Sequence, residues 1–171
     1  MEAANNPHGS ASAPPITLRP ECAGDEALLF EVYAGTREAE LSLTGWDAAT
    51  RQAFLEMQFK AMRQGYRGMF PQAQFSIIVE GDAPVGRIVL DRRDTLIHVV
   101  DIALLRAFYG RGIGSAVMRG VLDEAGRSGK KVRLRARRDP RTLRFYQRLS
   151  FAIVAEAGLD LELEWTPLKR L

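Results

Sequence analysis

The sequence has little of what disulfide-stabilised and metal-bound folds require. Its 171 residues include one cysteine, Cys22, and two histidines, His8 and His98. One cysteine excludes an internal disulfide and a multi-cysteine zinc site, and two histidines leave little for a histidine-based metal centre. We therefore expect no metal ion, and we expect Cys22 to be an inert small residue rather than a nucleophile.

Long hydrophobic runs are also missing. No apolar stretch approaches the roughly 18 residues that a membrane-spanning helix needs. The first fifteen residues have neither the basic start nor the apolar core of a secretory signal. A composition with 46% hydrophobic and 26% charged residues is unlike that of a disordered chain. These features predict a soluble, cytoplasmic protein without a membrane partner, in which residues 1–15 are a disordered leader and residues 16–171 form a single domain.

The charge is unevenly distributed along the chain. The formal net charge is only +3, but residues 1–50 contain two Arg and eight Asp or Glu, and residues 101–150 contain thirteen Lys or Arg and four Asp or Glu. Such a basic block is typical either of a localised anion site or of a solvated basic face. The chain has no nucleic-acid-binding motif, and we expect no nucleic-acid partner.

Hydrophobic periodicity predicts a mixed α/β fold (α+β, with a mixed sheet) in the order β-α-α-β-β-β-α-β-α-β-β. Strands are predicted at Ile16–Pro20, Phe75–Glu80, Pro84–Asp91, Leu96–Leu105, Lys131–Ala136, Phe151–Ala157 and Leu159–Trp165. Helices are predicted from Gly24 to about Leu41, from the N-cap Asp47 through Tyr66, from about Ile113 to Ser128, and from the cap Asp139 to about Leu149. The run Leu96–Leu105 is apolar nearly throughout, which predicts a central strand covered on both faces.

A glycine-rich turn follows this central strand, between Phe108 and Ser115. Its three glycines alternate with other residues, and a backbone without Cβ atoms can approach a ligand closely. The helix that begins here has unpaired amide N–H groups and the positive end of its dipole, and Arg111 adds a full charge. The pattern predicts either a phosphate site or a tight turn that needs glycine only for its shape.

Two common phosphate-binding motifs do not fit this turn. The P-loop pattern ends in Gly-Lys-Ser/Thr, whereas Ile113-Gly114-Ser115 contains no lysine. In the dinucleotide fingerprint G-x-G-x-x-G the third glycine lies one residue later than it does here. Both motifs therefore fail on spacing.

The turn does resemble the acetyl-CoA loop of the GNAT superfamily of N-acetyltransferases. The family pattern Gln/Arg-x-x-Gly-x-Gly/Ala maps onto Tyr109–Gly114, and Asp139–Phe151 is similar to the family's later Asn-x-x-Ala-x-x-x-Tyr-x-x-x-Gly-Phe segment. The order of predicted elements also matches, so the resemblance covers about Ile16–Trp165. It implies the GNAT fold and an enzyme, an acyltransferase with acetyl-CoA as co-substrate.

The resemblance also implies which residues hold acetyl-CoA. They are Ile102, Ala103, Leu104, Gly110, Arg111, Gly112, Ile113, Gly114, Ser115, Asp139 and Tyr146. Three positions depart from the family pattern. Tyr109 replaces the usual Gln or Arg, Asp139 replaces an Asn whose amide helps to hold the pantetheine, and Ser150 replaces a Gly.

Direct attack of a neutral amine on the thioester, without a covalent enzyme intermediate, is the mechanism that the resemblance implies. Tyr146 matches the family's proton-donating tyrosine, and its phenol suits a departing thiolate. Backbone N–H groups around Leu104 would hold the thioester oxygen as it gains charge. 

Two side chains are candidates for the base. His98 lies where many members of the family carry a strand glutamate, and an imidazole can accept a proton directly or through a water. Asp101 is a carboxylate in an apolar strand, which is costly to bury unless it is paired. Because the two are three residues apart, they face opposite sides of a regular strand, so at most one lines the acceptor site unless a bulge intervenes.

The acceptor is less well defined by the sequence. The resemblance places the acceptor cleft at about Glu38–Trp46 and Gln64–Gln74, and the acidic first fifty residues would suit a cationic amine. We expect acetyl transfer to a primary amine of a small molecule, a peptide or a protein. The alternative is a CoA-binding or nucleic-acid-binding module without catalysis, and the sequence is compatible with a homodimer.

Overall fold

The computed structural model describes residues 13–168. Most of the predicted leader, residues 1–12, lies outside the described residues. Within them the chain forms seven strands and four helices in the predicted order, and the mixed α/β fold is confirmed. Single turns of 3₁₀ helix, Ala23–Asp25 and Arg106–Phe108, precede the first helix and follow the fourth strand.

The bounds of the elements lie close to the predicted ones. The strands are β1 Ile16–Pro20, β2 Gln74–Glu80, β3 Ala83–Arg92, β4 Leu96–Leu104, β5 Lys131–Arg137, β6 Ala152–Ala157 and β7 Asp160–Trp165. The helices are α1 Glu26–Leu41, α2 Ala48–Met69, α3 Ile113–Ser128 and α4 Pro140–Arg148. Local signals explain several ends. The Asp47 carboxylate accepts the Thr50 N–H at 2.7 Å at the start of α2, and α3 ends at Gly129 in the left-handed conformation.

The strands form one sheet in the order β1-β2-β3-β4-β5-β7-β6. All neighbouring pairs are antiparallel except β4 and β5, which are parallel. The crossover between these two strands is α3. β4 is therefore the central strand, as the apolar run predicted, and its carboxyl end leads directly into the glycine-rich turn.

Helices cover the two faces of the sheet unequally. The larger hydrophobic core lies between the sheet and helices α3 and α4, and it contains Ile97 and Val99 of β4. A smaller core lies on the opposite face, where Leu29 of α1 and Phe59 of α2 pack on Ile77 of β2. We call this opposite side the α1/α2 face.

The two parallel strands separate part of the way along their length. Their ladder runs from Leu96↔Lys131 to Val99↔Leu134 and ends there. Beyond this point β4 remains paired with β3 through Leu104, and β5 remains paired with β7 through Arg137. The strands thus diverge into a splay that opens toward their carboxyl ends, where ligands bind in open α/β sheets.

A β-bulge in β4 changes which way its side chains face. In the ladder with β3, Val89 pairs with Asp101 and Leu90 pairs with Val99, so Val100 is an extra residue. His98 pairs with Asp91, which lies on the same face of β3 as Val89. His98 and Asp101 therefore share the α1/α2 face, and the expectation for a regular strand does not hold here.

Strand β3 approaches β4 very closely just past the bulge, at Gly86. A Cβ atom at this position would lie 2.4 Å from the Ala103 carbonyl oxygen and 2.7 Å from Leu104 Cδ2. Only glycine fits this contact without displacing backbone. The close approach fixes β4 against β3 along the segment that borders the splay.

Candidate active site

The turn after β4 is an open cradle of backbone groups. Gly110 and Gly112 have φ angles of 75° and 80°, a left-handed conformation that favours glycine. A Cβ atom at either glycine would meet nothing within 4 Å, so the space above the turn is open. Gly112 is the N-cap of α3, and among residues 13–168 no side chain caps this helix end. The first amide N–H groups of α3 are thus available to an anion.

Arg111, in the middle of this turn, is engaged away from it. Its guanidinium forms an ion pair with Glu80 at 2.8 Å and lies 4.9 Å from the centre of the Phe108 ring. Glu80 is at the end of β2, and its side chain is largely buried. The full charge predicted for Arg111 is therefore partly balanced by a carboxylate from another strand.

Asp139 acts as the N-cap of α4. Its Oδ1 atom accepts hydrogen bonds from the Arg141 and Thr142 backbone N–H groups at 3.1 and 2.9 Å. Burial alone would raise the pKa of Asp139, but the hydrogen bonds from Thr142 and Arg141 outweigh burial and lower it. The ionised carboxylate fixes the start of the helix that carries Tyr146.

The ring of Tyr146 lies in the larger core, and the charge of Asp101 in β4 acts on its phenol. The side chain is 8% exposed, and the ring packs edge-on against Phe145 and Phe151. Burial, and then the negative charge of Asp101, raise the pKa of Tyr146 to about 12. The phenol therefore stays protonated at neutral pH and can donate a proton or a hydrogen bond.

Asp101 is held by a residue that the sequence analysis did not single out. Arg87 of β3 is 6% exposed, and its Nε donates to Asp101 Oδ2 at 2.5 Å. The same guanidinium contacts Met62 Sδ of α2 at 3.4 Å. Arg87 is the one charged residue within the apolar run of β3, Val85–Leu90, which is the sequence signal that points to it. The expected pairing of a buried carboxylate is thus present.

Asp101 also acts on a second tyrosine. Burial, and then the charge of Asp101, raise the pKa of Tyr66 in α2 to about 12, although the nearby Arg87 opposes this. Tyr66 approaches from the α1/α2 face, whereas Tyr146 belongs to the core on the other face. The field of one carboxylate thus reaches two protonated phenols, from both sides of the bulged strand.

His98 has different surroundings on the same face. The imidazole is half-buried, and its centroid lies 5.2 Å from that of Phe70, at the end of α2. Burial is the main cause that lowers the pKa of His98 below its ordinary value of 6.5. Arg93 and Arg135 lower it further, and Asp91 and Glu162 partly oppose them. The ring is therefore neutral at pH 7 and can accept a proton.

The carboxyl end of α1 spans the mouth of the splay. Glu38 forms an ion pair with Arg106, just after β4, and Glu40 forms one with Arg137, at the end of β5, at 3.1 Å. One helix end is thus tied to both of the diverging strands.

A groove of about 420 Å³ lies between α1 and α2, next to the carboxyl end of α1 that these two ion pairs hold. On the α1 side its wall is a stripe at helical spacing, Glu31, Ala34, Gly35 and Glu38. On the α2 side the wall is a matching stripe, Ala48, Arg51, Gln52 and Leu55. Because the small residues in these stripes do not fill the space between the helices, the groove stays open. Leu105 and Arg106 border it at the end of β4.

Much of the basic character of residues 101–150 is balanced within the sheet. Lys131 and Arg133 of β5 both form ion pairs with Glu164 of β7, at 2.8 and 2.5 Å. Arg135 and Arg137 face Glu162 and Asp160 in the same ladder. This face of the sheet is therefore a cross-strand ladder of opposite charges rather than a free cationic surface.

Residues 13–168 bring together no group of three or more His, Cys, Asp or Glu side chains that could hold a metal ion. In the same part of the chain, no helix combines the length and the hydropathy that crossing a membrane would need.

Comparisons with known proteins agree with this architecture. The PaiA N-acetyltransferase of Thermoplasma acidophilum in complex with coenzyme A has a TM-score of 0.67 and 16% identity, over 89% of this chain and 99% of that one. An acetyltransferase of Thermus thermophilus has a TM-score of 0.62 and 17% identity, over 88% of this chain and 96% of that one. A GNAT family acetyltransferase of Elizabethkingia anophelis with acetyl-CoA bound has a TM-score of 0.55 and 16% identity, over 88% of this chain and 97% of that one.

At such low identities these similarities establish the fold alone. No curated protein matches the chain. The family itself is established by sequence, because the acetyltransferase (GNAT) domain model matches residues 38–170, which include the open turn, the bulged strand and helices α2 and α4, which carry Tyr66 and Tyr146. The chain belongs to the GNAT acetyltransferase family.

Proposed function

We propose that this protein transfers the acetyl group of acetyl-CoA to a primary amine of a small molecule, peptide or protein. One observation carries the proposal: the splay between β4 and β5 leads into an open turn and a helix start that no side chain among residues 13–168 caps. The extended pantetheine of acetyl-CoA, which carries the thioester, fits between diverging strands. The pyrophosphate of acetyl-CoA fits the cradle of N–H groups in the turn at the end of the splay.

The residues along this path suit acetyl-CoA. Ile102–Leu104 form the side of β4 that has lost its ladder to β5, so their backbone can bond to the pantetheine. Gly110–Ser115 supply the amides of the turn and of the first turn of α3. Acetyl-CoA would supply the activated acetyl group. Arg111 can bind a phosphate through the N–H groups that do not contact Glu80, or by exchanging Glu80 for the phosphate.

Asp139 would act on acetyl-CoA only through α4. Its Oδ1 already accepts two backbone N–H groups, and a carboxylate cannot donate to the pantetheine as an Asn amide can. We assign Asp139 to positioning: it fixes the first turn of α4, and two turns later the same helix presents Tyr146.

Three side chains would carry the chemistry. Tyr146 donates its proton to the departing thiolate, because burial and Asp101 keep the phenol protonated. His98 accepts the proton of the acceptor ammonium, directly or through a water, because its lowered pKa keeps the ring neutral. Asp101 already accepts a hydrogen bond from Arg87. We therefore assign it the role of keeping the Tyr146 phenol protonated through its negative charge, and we keep it as the alternative base.

The turn can be tested with a matched pair of glycines. Gly112 and Gly129 cap the two ends of α3 and are both left-handed, with φ angles of 80° and 66°. Replacing either with Ala should destabilise the protein by about 1 kcal/mol. Only Gly112→Ala should also reduce the rise in melting temperature that acetyl-CoA causes, because only that end faces the splay. Equal ligand-induced shifts in the two variants would place the cofactor elsewhere.

The proton donor can be tested with Tyr146→Phe. Removing the hydroxyl should lower kcat by about a hundredfold, because the thiolate then leaves without an acid. Acetyl-CoA affinity, followed by titration calorimetry, should be unchanged, because the ring still fills its place between Phe145 and Phe151. Undiminished CoA release would remove this role from Tyr146. A wild-type protein that binds acetyl-CoA but acetylates no amine would instead support the non-catalytic alternative.

The base can be tested through the pH dependence of kcat/KM. Protonation of His98 disables it, so wild-type activity should fall as pH decreases through a pKa that is below 6.5. His98→Gln should be slower throughout and should lack this acidic step, leaving only the ionisation of the acceptor. If His98→Gln keeps the step and Asp101→Asn loses it, the base is Asp101.

A further inference from the structure

The groove between α1 and α2 has the size of a small-molecule site. Its volume of about 420 Å³ lies in the range typical of ligand pockets. Leu41, Leu55 and Leu105 give it an apolar floor and end. It therefore suits a compact molecule with an apolar part better than a long polymer segment.

Charges of both signs line the same groove. Glu31 and Glu38 come from α1, Arg51 comes from α2, and Arg106 follows β4. Arg51 is half-buried and forms no ion pair with any residue between 13 and 168, although its charge acts on the Asp47 carboxylate one helical turn earlier. A guanidinium in this state is a ready partner for a carboxylate, which it can bind with two parallel hydrogen bonds.

The ion pair between Glu38 and Arg106 is easily replaced. Both side chains are more than half exposed, at 62% and 58%, and an exposed ion pair contributes little to stability. A ligand with an ammonium and a carboxylate could take the place of each partner without leaving either charge unpaired. A purely cationic ligand that paired with Glu38 would instead leave Arg106 without a carboxylate partner.

The groove also lies beside the end of β4, at the mouth of the splay. Arg106 lies two residues beyond Leu104, the last residue of β4, and pairs with Glu38, while Glu40 on another side of the same helix end bridges to β5. An amine held near Glu38 would thus lie at the mouth of the splay, on the same face as His98 and Asp101.

We propose that this groove binds the acceptor and selects a small zwitterionic amine, with an apolar side chain, whose carboxylate pairs with Arg51 and Arg106 and whose amine lies by Glu38. The inference rests on the proposed acetyl transfer and narrows its substrate class to amino acids and molecules like them. Arg51 and Arg106 are then specificity-determining residues.

Three acceptors separate the carboxylate from the rest of the molecule. Leucine, leucinamide and isopentylamine share an apolar side chain and a primary amine, and only leucine carries a carboxylate. CoA release at saturating acetyl-CoA should give leucine the lowest KM. This order would not reflect amine basicity, because the amide has the least basic amine and is the most fully deprotonated.

Variants then test whether the preference for a carboxylate-bearing acceptor arises in the groove. Arg51→Gln should raise the KM for leucine about tenfold and change that for isopentylamine by less than about twofold. Arg51→Lys should recover part of the loss. Arg127→Gln removes the same charge from the exposed end of α3, away from the groove, and should leave both KM values unchanged.

Each outcome distinguishes the zwitterion site from acetyl transfer itself. If isopentylamine or a polyamine is used as well as leucine, or if Arg51→Gln leaves the KM for leucine unchanged, the zwitterion site is wrong while acetyl transfer stands. If none of the three acceptors is turned over, the zwitterion site is also wrong. In that case an acetyl-CoA-dependent rise in melting temperature, with CoA release on a wider set of amines, decides whether acetyl transfer stands.

Discussion

The ion pair between Arg87 and Asp101 is the interaction on which the arrangement of the site depends. Both groups lie inside the sheet, and a buried charge that loses its partner costs about 3–5 kcal/mol. In a regular strand Asp101 would follow Ile97 and Val99 into the larger core, where no charge could be tolerated. The extra residue Val100 turns Asp101 to the opposite face, toward Arg87. The bulge and the ion pair therefore require each other.

The same carboxylate links the two faces of the sheet. β4 and β5 have parted at this point, so the charge of Asp101 reaches Tyr146 in the core on one side and Tyr66 on the other. Both phenols are held in their protonated form, as a proton donor requires. His98 lies on the same face among other charges and is held in its neutral form, as a base requires. The protonation states that the proposed acid and the proposed base need are thus set by separate local fields around one irregular strand.

Local sequence signals predicted most of the fold. The apolar run of β4, the Asp139-Pro140 start of α4 and the glycine-rich turn each act within a few residues, and the structure places each element where they indicate. A bulge is required for His98 and Asp101 to share one face of β4, but nothing in the sequence His98–Asp101 shows whether a bulge is present or which residue is extra. Arg87 and Glu80 were missed because their partners are 14 and 31 residues away in the chain, and the groove between α1 and α2 depends on how two helices fail to pack. Such features arise from tertiary contacts that periodicity does not encode.

Direct transfer of the acetyl group is the central claim, and it can be observed by mass spectrometry after rapid mixing with isotope-labelled acetyl-CoA. Without an amine, the protein should remain unlabelled. With an amine present, the label should appear on the acceptor nitrogen, with one CoA thiol released per acetyl group. Labelled protein that forms at the rate of turnover, on Cys22 or any other side chain, would contradict direct attack, and release of CoA without acetylated amine would contradict acetyl transfer itself.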